Sequence, residues 1–228
     1  MTNDERNLAR IRSSGLTSPS IFDIRGSTFG AGGAFTLIEL LVVIAIIIIL
    51  AGLILSTVGY VQKKGARARA ETEIAAISAA CESYKADNGI YPRGPTAAMT
   101  IGSITIPANV TDNLDPKAST SGDPTSTTTP TYSQASLYLY TQLSGDLTGN
   151  RQPTGKSYFT FKPNMLSPAD QTLSVQYIRD PFGNSYGYST ANQVSSSNGY
   201  NPTFDLWSTV GLTASPSSTI TPQWIKNW

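Results

Sequence analysis

The run GGAFTLIELLVVIAIIIILAG, residues 32–52, constrains this chain more than any other stretch. Phe35 to Leu55 is 21 residues with a single charge, and as a helix it is about 31 Å long, close to the hydrocarbon thickness of a bilayer. A secretory signal has an apolar stretch of only about 7–15 residues followed by a small-residue cut site, and no such site follows here. The run therefore predicts a membrane-spanning helix. Its exception is Glu39, the fifth residue counted from Phe35. A carboxylate at the centre of a spanning helix costs roughly 2.5–3.5 kcal/mol on insertion scales, so one placed in such a run is a functional candidate by default.

Helical character continues past Leu55. In YVQKKGARARAETEIAAISAACESYKADNG, Ala70, Ile74, Ile77, Cys81 and Tyr84 fall on one helical face. Arg67–Glu71 and Arg69–Glu73 are i,i+4 pairs on the polar sides, each contributing a few tenths of a kcal/mol. Asn88-Gly89 supplies a stop and Pro92 prevents resumption. The expected helix runs from Phe35 to Asp87, 53 residues and about 80 Å, with Gly52, Gly59 and Gly65 as its weak points.

The rest divides by composition. Residues 1–34 are polar and Gly/Ser-rich without apolar periodicity and read as a leader peptide. Residues 35–58 form the transmembrane helix and 59–88 its amphipathic continuation. Residues 89–135 read as a loop insertion; within 117–133, ten of seventeen residues are Ser or Thr, which argues against a packed element there. Residues 136–228 read as a small antiparallel β domain. A short helix, QASLYLYTQLSGD, begins at Gln134 just before it, turns Leu137, Tyr140 and Leu143 inward and ends at Gly145. Strands are expected at 157–161, 173–178, 185–189 and 204–210, the middle two joined by RDPFGN, where Asp180 favours an Asx-type turn. The predicted class is α+β, the long helix covering one face of the sheet.

The composition removes several functions. The chain has 228 residues, net charge +1, no histidine and one cysteine. It builds no field to recruit nucleic acid, no histidine-based catalysis or zinc site and no internal disulfide. Cys81, on the apolar face, is expected to be core, and the tyrosines at 138, 140, 177, 186 and 188 sheet packing more than a sugar- or protein-binding platform. Lys63 and Lys64 suit either lipid headgroups or a solvated helix face. No catalytic constellation is present, and an enzyme is not expected.

With these residues in view, A-FTLIELLVVIAIIIILAG resembles the amino terminus of type IV pilin-like proteins, and most closely that of the major pseudopilins of type II secretion systems. ESYKADNGIYP (82–92), RDPFGNSYGY (179–188) and FDLWS (204–208) match the pseudopilin pattern in order and rough spacing. The likeness covers about Ala34–Asn88 well and 175–210 loosely, and is silent on 94–133. It implies cleavage by a prepilin peptidase between Ala34 and Phe35, N-methylation of Phe35, and stacking of the helices into a homo-oligomeric filament. In that filament Glu39 meets the terminal amine of a neighbouring subunit. It also implies an inner-membrane assembly platform and minor pseudopilins as partners, with a single-pass protein in a bacterial inner membrane. Its amino terminus would be cytoplasmic and its domain periplasmic, or at the cell surface in a pilus. The arginines at 6, 10, 12 and 25 nearly balance Lys63, Lys64, Arg67 and Arg69, so charge alone does not choose that orientation.

The sequence departs from the family at three places. Ala34 stands where glycine is usual, and Arg25 lies nine residues from the cut instead of beside it. Major pseudopilins hold calcium in a carboxy-terminal loop, but here Asp205 is the last acid of the chain, so it is a weak candidate and no metal or other cofactor is expected. Trp224, Ile225 and Trp228 are expected to pin the tail against the sheet instead. Two roles follow: a structural subunit of a secretion pseudopilus driving protein export, or a pilin or minor pilin that serves as a membrane-tethered, adhesin-like binding module.

Overall fold

The computed structural model describes residues 35–118, 131–213 and 220–228. The expected leader with Ala34, and positions 119–130 of the Ser/Thr-rich segment, lie outside them. The chain divides into two units, Met1–Gly52 and Leu53–Trp228.

The described part of the first unit, residues 35–52, belongs to the opening of helix α1, Leu37–Asn88. Every residue from Phe35 to Leu55 is exposed, and this is one helix long and apolar enough to cross a membrane. The helix starts two residues later than Phe35 because Thr36 caps it.

In the second unit, α1 contributes Ala70, Ile74, Ile77, Ala80 and Cys81 to the core, all at most 4% exposed. The predicted face is the observed one. Tyr84, one turn on, is half-buried and donates to Gln142 Oε1 at 3.0 Å. Arg69 pairs with Glu73 at 2.7 Å, but Glu73 is not on a wet side: it also accepts from the Tyr186 hydroxyl at 2.8 Å. Gly89, at φ 78°, ends the helix with its N–H on Lys85 O, the left-handed stop that glycine makes without steric cost.

The segment 89–135 is not all loop. It carries a hairpin, β1 (Met99–Ile101) and β2 (Ile104–Ile106), a one-turn helix α2 (Val110–Asn113) and the first residues of α3 (Tyr132–Ser144). Gly102, at φ 57°, leads the two-residue hairpin turn, where such turns favour glycine. Ile101 and Ile106 are fully buried, and Gln134 donates to Thr105 O at 2.9 Å, so the hairpin lies against α3. That helix begins two residues before its predicted start: Thr131 Oγ1 accepts from Gln134 N at 3.2 Å and Gln134 Oε1 from Thr131 N at 2.9 Å, a reciprocal cap. Leu137, Tyr138, Leu139, Tyr140 and Leu143 are all buried, so α3 is a core helix apolar around most of its circumference.

The remaining strands are short and antiparallel. Strands β3 (Leu166–Ser167) and β4 (Tyr177–Ile178) form one pair. Strands β5 (Gly187–Ser189), β6 (Asp205–Ser208) and β7 (Ile225–Lys226) form a sheet with β6 central. The predicted strand at 157–161 is absent. Tyr158 N and Phe159 N both donate to Leu143 O, at 2.7 and 3.0 Å, so this extended piece satisfies an orphan carbonyl at the end of α3 instead of a strand edge. Of 173–178 only the last two residues pair as a strand, because Val175 N is taken by Gly149 O at 2.8 Å. Trp224 and Ile225 are buried, and β7 holds the tail on β6 as the tryptophans predicted. The class is α+β, with one long amino-terminal helix and small antiparallel sheets.

Candidate functional site

Glu39 stands in the first turn of α1 as the third residue of the helix. Thr36 Oγ1 accepts from Glu39 N at 3.2 Å, and Glu39 Oε2 accepts from Thr36 N and Thr36 Oγ1, both at 2.8 Å. Thr36 and Glu39 thus form a capping box, which supplies two of the acceptors a helix start lacks. The carboxylate has a local use that the apolar run alone did not announce. The T-x-x-E spacing was there to be read, but an acid among so many aliphatic residues drew attention to charge first.

The cap engages only part of the group. Glu39 is exposed, and no cation within the described residues pairs with it; the ion pairs join Arg67–Glu71, Arg69–Glu73, Arg93–Asp112 and Lys156–Asp87. Phe35, Ile38, Glu39, Val42 and Val43 line a shallow groove of 300 Å³. The result is an anionic acceptor ringed by aliphatic surface, a setting that favours an ammonium or guanidinium brought in with apolar surface of its own. Phe35, half of the expected scissile pair, is 81% exposed, while Ala34 lies outside the described residues.

Asp205 is engaged by backbone donors. Its oxygens accept from Tyr200 N and Asn201 N, both at 2.8 Å, and Asp115 Oδ1 accepts from the preceding Gly199 N at 3.0 Å. Three successive backbone N–H groups point inward at two carboxylates, whereas calcium needs oxygens turned inward. A cation lies close by: the exposed Lys117 donates to Ser197 O at 3.2 Å and lies 5.1 Å from the Tyr200 ring centre. No group of three or more acidic, cysteine or histidine side chains suited to a metal occurs among the described residues.

The other candidates are structural. Cys81 is fully buried, and burial raises its thiol pKa, with Glu82 adding to the effect. Tyr138, Tyr140, Tyr186 and Tyr188 are buried and Tyr177 half-buried. The hydroxyls of Tyr140, Tyr186 and Tyr188 are held by Asp146, Glu73 and Pro92 O at 2.9, 2.8 and 2.8 Å. They do not assemble a binding platform. Asp180 makes the expected Asx-type turn, accepting from Phe182 N at 3.0 Å and Asn184 N at 2.8 Å. Asp87, at the end of α1, pairs with Lys156.

Comparison of the chain with protein-family models, with curated proteins and with solved structures finds no match. The fold and the site therefore define a class by themselves: an α+β protein whose amino-terminal helix is long and apolar enough to cross a membrane and carries one carboxylate in its first turn.

Proposed function

We propose that this chain is a pilin-like filament subunit, of the kind that forms a type II secretion pseudopilus. It is anchored by its amino-terminal helix, cut between Ala34 and Phe35, N-methylated at Phe35, and stacked through that helix into a homo-oligomer that drives protein export. Its role is structural. A prepilin peptidase, an inner-membrane platform and minor pseudopilins are its partners, and its folded domain faces the periplasm. The observation that carries this reading is Glu39: an exposed carboxylate in an apolar groove, with no cation among the described residues paired to it. Cleavage before Phe35 creates an ammonium at the same level of the next subunit. Once both charges are buried by stacking, loss of either costs about 3–5 kcal/mol, enough to set the register.

The capping box supplies the test. Glu39→Gln keeps the box, because glutamine serves at that position as well as glutamate, but removes the charge. Thr36→Val removes the box, at about 0.5–2 kcal/mol of helix stability, but keeps the charge. Membrane-extracted protein should begin at Phe35 with a methylated amine by intact mass in both variants. In electron micrographs Thr36→Val should form filaments and Glu39→Gln should not. The opposite pattern would reduce Glu39 to a helix cap.

A further inference from the structure

Beyond the apolar run, α1 carries Tyr60, Lys63, Lys64 and Arg67, spaced i, i+3, i+4 and i+7 on one helical face. Together with Phe182 and Val210 they line a concave site of 520 Å³ in the second unit. Its three cations are not equivalent. Arg67 is engaged, with Nη1 on Gln223 O at 3.1 Å and Nε 3.6 Å from Glu71. Lys63 and Lys64 are exposed and enter no ion pair among the described residues; the Lys64 ammonium lies 5.6 Å from the Tyr60 ring centre.

The opposite wall is apolar by construction. Phe182 sits on the 180–184 turn, whose one acid, Asp180, is turned inward onto Phe182 N, Asn184 N and Ser208 Oγ. Val210, in the lining, is held at φ 58°, a left-handed conformation that a β-branched residue adopts only under strain. Among the described residues, Glu71 is the acid in an ion pair with a lining cation, Arg67. The exposed apolar surface of α1 extends through Val58, Tyr60 and Val61, so Lys63 and Lys64 follow within one turn of its end. Aromatic residues and snorkelling lysines occupy that level at a bilayer surface.

We propose that this site seats the headgroup of an anionic phospholipid, with Lys63 and Lys64 on the phosphate and Tyr60, Phe182 and Val210 against the glycerol and upper acyl carbons. The inference rests on the membrane-anchored reading above. Charge complementarity and continuity with the apolar run select this occupant: a phosphate neutralises two ammonium groups that enter no ion pair among the described residues, and a lipid at the end of the apolar run brings apolar carbon to the same place.

The test uses the full chain in nanodiscs, with spin-labelled phosphatidylglycerol and phosphatidylcholine compared for immobilisation by the protein. Each basic side chain near an anionic surface contributes about a fivefold preference, so wild type should favour phosphatidylglycerol by fivefold or more, less at high salt. Lys63→Gln/Lys64→Gln should bring the ratio near unity, and Lys162→Gln, an exposed lysine elsewhere, should leave it unchanged. A chain that never enters the discs overturns the anchored reading and this inference with it. A chain that enters but holds both lipids equally overturns this inference alone. So does a preference that survives the double variant, or one that Lys162→Gln removes equally. Lys64-to-Lys64 crosslinks in discs without anionic lipid would assign the seat to a second copy and also overturn it.

Discussion

A carboxylate withdrawn from water remains tolerable only where donors replace its hydration. Three aspartates of the folded domain meet that condition by organising loops. Asp146 accepts from the backbone N–H groups of Thr148, Gly149, Asn150 and Arg151. Asp205 takes those of Tyr200 and Asn201, and Asp180 takes those of Phe182 and Asn184 together with the Ser208 hydroxyl. For Asp180 the balance is incomplete: burial pushes its carboxyl above the ordinary range, against the hydrogen bonds that pull it down. The folded state then binds its proton more tightly than the unfolded chain does. The stability this provides is fully present below about pH 3.9, the unfolded value, and is lost as pH rises through the folded one. Asp180→Asn keeps one oxygen for the two N–H donors and can donate to Ser208, without ionising. Its melting temperature should therefore gain on wild type as pH is raised from about 4 to 7. Calorimetry across that range checks it, and a variant that loses ground with rising pH would mean that the donors outweigh burial.

At the scale of elements, the tightest fit is where β5 meets β6. Gly187 is paired opposite Trp207, and a Cβ at Gly187 would come within 2.2 Å of the Trp207 ring. The ring cannot step aside. Its Nε1 donates to the Tyr132 hydroxyl at 3.1 Å, the Tyr132 ring meets it edge-on at 5.2 Å, and Trp224 stacks on it at 6.0 Å between centroids. Gly187→Ala should destabilise by about 3 kcal/mol, the upper end for overpacking, measured as a lower urea midpoint with unchanged slope. Nothing in SYGYS distinguishes a glycine under a tryptophan from one in a turn. Legibility followed this pattern through the molecule. The α1 face from Ala70 to Cys81 was readable because a single period ran for several turns, and the Asp180 turn because its chemistry is local. The β1–β2 hairpin lies before the Ser/Thr-rich stretch, and its MTIGSITI does alternate apolar residues about a Gly-Ser turn, whereas 157–161 had strand composition but found its partner in the Leu143 carbonyl. Pairing partners far apart in sequence leave no periodic trace. In the candidate site Glu39 stands out for its charge, and the T-x-x-E spacing that pairs it with Thr36 is legible in the same run.

Across the whole molecule, apolar surface is distributed unevenly along α1. From Phe35 to Val61 the large hydrophobic side chains lie between 40% and 82% exposed, while among the described side chains of the helix the first fully buried one is Ala70. Burial, not helix length, is what stabilises a folded state, so residues 35–59 should contribute little to the stability of the domain and nearly everything to its insolubility. A fragment of residues 60–228 is expected to be soluble without detergent and to melt cooperatively. The same fragment tests the metal question, since Asp115 and Asp205 both lie within it. A calcium ion bound at one hundred times its dissociation constant would add about 2.7 kcal/mol, which for a domain of this size raises the melting temperature by about 5–10 °C. With the N–H groups of 199–201 turned onto the two carboxylates and the Lys117 ammonium already bonded to Ser197 O, the expected shift between millimolar calcium and chelator is under about 2 °C. Lys117→Met should lower the melting temperature equally in both buffers, because the loop loses its cation without gaining a metal site. If calcium restores that variant or raises wild type by about 5 °C or more, the loop binds the ion and the inward-facing N–H groups must turn away to admit it.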